Sequence, residues 1–93
     1  MIYQISYEQK TPGKDYTELY SFLENKLGEE GMHVLNDTWW IYATEPFDIK
    51  KACDDLKKHF GEYDVFYVSQ LNTENINGWM AHSFWNWMTK FKE

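Results

Sequence analysis

The chain has 93 residues, with 15 acidic side chains against nine lysines, no arginine, and a formal net charge of −6. That length suits one domain, residues 1–93, and a chain that is 19% aromatic is not a disordered one. Nucleic-acid affinity comes from cations that displace counterions and from bidentate guanidinium contacts, so direct nucleic-acid binding is disfavoured.

The single cysteine, Cys53, excludes an internal disulfide and fits a reducing compartment. The opening MIYQISYEQK lacks a basic start followed by a long apolar run, so neither a signal peptide nor a membrane span is expected. The expected location is the cytoplasm, of a cell or of an infected host.

Residues 1–7 are β-branched and aromatic and read as a strand, followed by a turn at Pro12-Gly13. Asp15 can cap a helix over 15–27, where Tyr16, Leu19, Tyr20, Leu23 and Leu27 share one stripe at helical pitch. Gly28 stops that helix, and Gly31 closes the loop after it. Residues 32–36 and 38–44 read as two strands of a tight hairpin. Asn36 and Asp37 tolerate the left-handed backbone such a turn uses. Asp48 begins a second helix that places Ile49, Ala52, Cys53, Leu56 and Phe60 on one face and ends at Gly61. Residues 63–71 read as the fourth strand. After a polar loop, 79–91 read as a third helix with Met80, Phe84, Trp87, Met88 and Phe91 aligned.

The order β-α-β-β-α-β-α predicts an α+β fold, a ferredoxin-like βαββαβ sandwich with an additional C-terminal helix. Its two main helices cover one sheet face. Yet the strands carry bulky residues on both faces: Trp40 and Tyr42 oppose Trp39 and Ile41, and Tyr67 opposes Phe66. Several hundred Å² of such surface at about 25 cal/mol per Å² is a driving force on the order of 10 kcal/mol, too much to leave in water. The candidate covers are the aromatic third helix and a second copy of the chain. The expectation is a homodimer with Tyr3, Trp40, Tyr42, Phe66, Trp79 and Trp85 as interface residues; Trp79 and Trp85 lie off the core stripe of their helix.

No phosphate-cradling glycine loop, zinc-spaced cysteine pair or nucleophile elbow occurs. His33, His59 and His82 lie on separate elements and read as surface or cap residues, while Cys53 reads as a buried, inert thiol. No catalytic residue, cofactor or metal is expected on the primary reading. The alternative rests on the acids at strand ends, Glu8, Asp37 and Asp64. A two-fold axis near the first strand's end could bring two copies of Glu8 together to hold Mg²⁺ or Mn²⁺ for phosphodiester cleavage.

The stretch YQISYEQKTPGKDYTELYSFL resembles the opening of the small SinR-like proteins, and DTWWIYAT, YDVFYVSQL and the Trp-containing terminal helix extend the resemblance over most of the chain. That family is similar in fold to the ferredoxin-like CRISPR adaptation protein and to VapD-type ribonucleases. The resemblance implies dimerisation through the sheet face and a metal-ligating Asp after a Tyr at the end of the first strand. Here Tyr7 matches and Glu8 stands at the Asp position, its carboxylate one methylene further out.

Three functions follow in order of preference. The first is a non-catalytic homodimeric interaction protein, encoded by a phage or mobile element, whose acidic surface docks on a basic protein partner and inhibits a nucleic-acid-handling host system. The second is a metal-dependent nuclease using Glu8. The third is a sensor that stacks a small ligand between subunits.

Overall fold

Strand β1, Ile2–Glu8, lies inside the sheet of a computed structural model that describes residues 1–91. Helix α1 (Thr17–Asn25) follows, then β2 (Glu30–Leu35), β3 (Thr38–Tyr42), α2 (Ile49–Lys57), β4 (Val65–Gln70), a short 3-10 turn at Thr73–Asn75 and α3 (His82–Phe91). The fold is α+β, with a four-stranded sheet in the order β2-β3-β1-β4, every neighbouring pair antiparallel. Strands β2 and β4 are its two edges.

Local chemistry explains most boundaries. Asp48 accepts from the backbone N–H of Lys50 and Lys51 and so caps α2. Asp15 caps less directly than expected: its carboxylate takes the N–H and hydroxyl of Thr17, and the helix begins there. At the other end the Phe22 carbonyl accepts from both Lys26 and Leu27, which closes α1 at Asn25. Helix α3 starts at His82, leaving Trp79 and Met80 outside it. The β2–β3 hairpin is as tight as expected, with Leu35 opposite Thr38, but among the described residues none other than glycine has a positive φ. A register shift between His33 and Leu35 accompanies the turn, as a bulge does where a turn's own twist does not match that of its strands.

The strand period of two divides the sheet into two cores. Tyr3, Ile5, Tyr7, Trp39 and Ile41 meet Leu19 and Leu23 of α1 and Leu56 of α2. On the opposite face Ile2 and Trp40 meet Phe84, with Met32, Tyr42, Trp87 and Phe91 packed around them. Helix α3 therefore lies across the second face, and Trp87 donates to Glu30 at 3.0 Å, tying it to β2. Burying one ring such as Phe84, 4% exposed, contributes about 1.5–3 kcal/mol. Much of the ring surplus expected on an open sheet face is thus taken up inside the chain.

The cover is partial. Ten helical residues span about 15 Å, and a seven-residue strand about 23 Å. Helix α3 sits over the Ile2 and Leu71 end of the sheet. At the opposite end Glu8, Val65, Tyr67 and Leu35 stay exposed. Among the described residues, no helix is long and apolar enough to cross a membrane.

Candidate functional site

The end of the sheet that α3 leaves open holds a depression of about 270 Å³ lined by Ser6, Tyr7, Glu8, Asp37, Val65, Phe66 and Tyr67. Three segments meet there because β1 is paired on both sides. Ser6 lies opposite Thr38 on one flank and Tyr67 on the other, and Glu8 lies opposite Val65. The pairing of β1 with β3 ends at Ser6, so Glu8 runs past it, while the Tyr7 N–H donates to the Asp37 carbonyl at 3.0 Å and draws the hairpin tip alongside.

The lining combines two carboxylates with ring and aliphatic surface. The Glu8 side chain is 64% exposed and pairs with Lys10 at 3.2 Å. Tyr67 is held over the sheet by a polar chain: Trp40 donates to Gln4 at 3.2 Å, and Gln4 donates to the Tyr67 hydroxyl at 3.0 Å. Burial pushes the Tyr7 hydroxyl well above its ordinary range, despite the bond donated by Trp39, so this phenol stays protonated and is no base at neutral pH. A long cationic side chain suits such a place, its alkyl stem on the apolar lining and its charged head at the carboxylates. Among the described residues, no group of three or more His, Cys, Asp and Glu is arranged to hold a metal ion.

The six expected interface residues are dispersed. Tyr3 is 1% exposed on the α1–α2 side, stacked on Phe47, and Phe66 stacks on Phe60 on that same side. Trp40, Tyr42 and Trp85 belong to the cluster beneath α3. Trp79 alone of the six stands fully in solvent, 100% exposed. Because that ring has no intramolecular seat to lose, Trp79→Ala is expected to change stability by no more than about 0.5 kcal/mol. Urea unfolding measures this, and a loss above about 1 kcal/mol would reveal a hidden packing role.

Of the three strand-end acids, Glu8 and Asp37 come together and Asp64 does not. Asp64 instead accepts from the backbone of Lys10, Thr11 and Gly61 and from the Thr11 and Tyr16 side chains. Cys53 is half-buried rather than sealed in the core, beside a second cavity at the β4 edge. The histidines remain apart: His33 stacks on Trp39, His59 on Phe22, and His82 opens α3. Sequence reasoning listed Glu8 and Asp37 but missed Val65 and Tyr67 as their neighbours, a grouping set by strand order. Set against protein-family models, curated proteins and solved structures, this chain matches none of them.

Proposed function

We propose that the chain is a non-catalytic, cytoplasmic interaction protein of ferredoxin-like architecture and SinR-like type, working as a homodimer that docks on a basic protein partner. The strand order β2-β3-β1-β4, with α1 and α2 on one face, supports the architecture. One observation carries the docking reading: the depression at the end of β1 joins Glu8 and Asp37 to Val65 and Tyr67 in a chain of net charge −6. Carboxylates beside exposed rings select Lys or Arg and steer a basic surface toward this end of the sheet. A partner that uses the same basic groove for nucleic acid would be inhibited by that occupancy.

The test is calorimetric titration of an Arg-rich peptide into wild type and into Glu8→Gln/Asp37→Asn. The double variant is expected to weaken binding about tenfold, and added salt to weaken wild-type binding further. The paired change Glu18→Gln/Glu24→Gln on α1 removes equal charge elsewhere and should leave binding near the wild-type value. Equal losses in both double variants would reduce the effect to net charge and remove the site.

The nuclease reading keeps one supporting observation, that Glu8 and Asp37 share a rim. It requires cleavage of RNA or DNA with Mg²⁺ or Mn²⁺ that disappears in Glu8→Ala. Equal activity, or none in either protein, removes it.

A further inference from the structure

The two sheet edges differ in how they are protected. An edge strand presents unpaired N–H and C=O groups, and folded chains blunt such edges with charge, proline or a bulge. Strand β2 carries Glu30 and the register shift between His33 and Leu35. Strand β4 carries none of these devices. Its sequence VFYVSQ has no charge and no proline, and its register with β1 is unbroken from Val65 to Gln70.

The backbone phase of that edge follows from one bond. The Leu71 N–H donates to the Ile2 carbonyl at 2.9 Å, so Leu71 faces β1. Antiparallel alternation then turns the N–H and C=O of Phe66, Val68 and Gln70 outward. The flanks of the edge carry apolar side chains, joined on the α2 side by Lys57, Glu62 and Asp64. Val65 and Tyr67 are 53% and 54% exposed on one face, and on the other Cys53, Phe60 and Phe66 line a cavity of about 440 Å³ beside α2.

We infer that β4 pairs with β4 of a second copy, antiparallel about a two-fold axis at Tyr67, to give a continuous eight-stranded sheet. Charge leaves this edge open to a second copy. Two chains of net charge −6 repel over most of their surfaces, and residues 65–71 form an uncharged segment at which they can meet. In the Tyr67-centred register Phe66 lies opposite Val68 of the second copy, Val65 opposite Ser69, and Glu62 opposite Asn72, so no like charges face one another. The outward amides of Phe66 and Val68 exchange hydrogen bonds, and the two Tyr67 residues form a close, non-hydrogen-bonded pair. An axis perpendicular to the sheet turns both Glu8 depressions to the same side, so a basic partner meets two sites at once. The inference rests on the paired state proposed above and is independent of the basic partner.

The experiment is light scattering on the full chain, with cross-linking through position 67. Wild type is expected at twice the 11.3 kDa chain mass. Tyr67→Lys and Tyr67→Glu each place like charges at the axis and should shift the dimer dissociation constant at least tenfold upward. An equimolar mixture of the two should recover the dimer. In a Cys53→Ser background, Tyr67→Cys is expected to form a disulfide-linked dimer, because a close antiparallel pair sets Cα atoms about 4.5 Å apart, within disulfide range. Trp79→Cys in the same background, at a more exposed position off the edge, should not. A monomeric wild type overturns both the pairing and the β4 edge, and leaves that edge open to a foreign strand. A wild-type dimer that survives both charged variants and yields no cross-link overturns the β4 edge alone.

Discussion

Gly31→Ala is expected to destabilise the chain by about 3 kcal/mol or more, a large share of the stability a domain of this size has. Gly31 lies on β2 opposite Ile41, where α1 crosses the strand at close range. A Cβ there would overlap the carbonyl oxygen of Leu23 and sit 3.0 Å from the Ile41 side chain. Leu23 is fully buried in α1, and the obstructing atom is backbone, so no rotamer change relieves the clash. Helix and strand must separate instead, opening the core that Leu19 and Leu23 share with Trp39. Gly78→Ala is the matched control, since nothing lies within 4 Å of its added Cβ. Gly13→Ala should fall between the two, costing about 1 kcal/mol for a φ of 72° in open space. Urea midpoints order the three variants. A Gly31→Ala midpoint equal to that of Gly78→Ala would show that α1 does not sit where described.

Asp64→Asn is expected to cost about 2–3 kcal/mol near neutral pH, an effect that fades in acid. One Asp64 oxygen receives the N–H of Lys10 at 2.7 Å, the N–H and hydroxyl of Thr11 at 3.0 Å each, and the Tyr16 hydroxyl at 2.8 Å. The other receives the Gly61 N–H at 2.7 Å. An amide in that place turns two of its own hydrogens toward groups that are themselves donors. Two loops distant in sequence, 9–16 and 58–64, are joined through this carboxylate, and Thr11 adds a bond from the Tyr63 N–H at 3.0 Å.

Burial alone would raise the Asp64 carboxyl. The bonds from Tyr16, Gly61, Lys10 and Thr11 outweigh it and hold the group at about 2, below its ordinary 3.8. A depressed native value means that the folded state binds the proton less readily than the unfolded chain. The stabilisation is therefore complete above 3.8 and is lost as pH falls toward about 2. Thermal unfolding of wild type and Asp64→Asn between pH 7 and 2 measures the gap, which should close across that window. A gap that stays constant to pH 2 would mean that the carboxylate's charge contributes nothing.

The sequence by itself determined what local chemistry can carry. All four strands and three helices occur in the expected order, because periodicity and end signals such as Asp48 act within a few residues. The strand period also assigned Trp39 and Ile41 to one face and Trp40 and Tyr42 to the other, as found. Glu8 and Asp37 were legible as strand-end acids for the same reason.

Only the tertiary structure decided how far α3 reaches, and with it which rings are spent inside the chain. That depends on helix length against strand length, and on Trp87 finding Glu30, 57 residues away in sequence. It decided as well that Asp64 locks two loops while Glu8 and Asp37 share a depression with Tyr67. All three acids look alike along the chain. Their fates differ because pairing places β1 between β3 and β4, and all the donors described around Asp64 except the nearby Gly61 N–H come from residues 48 to 54 positions away. A carboxylate's role follows from the donors that converge on it, and that convergence is a property of the folded topology rather than of any window of sequence.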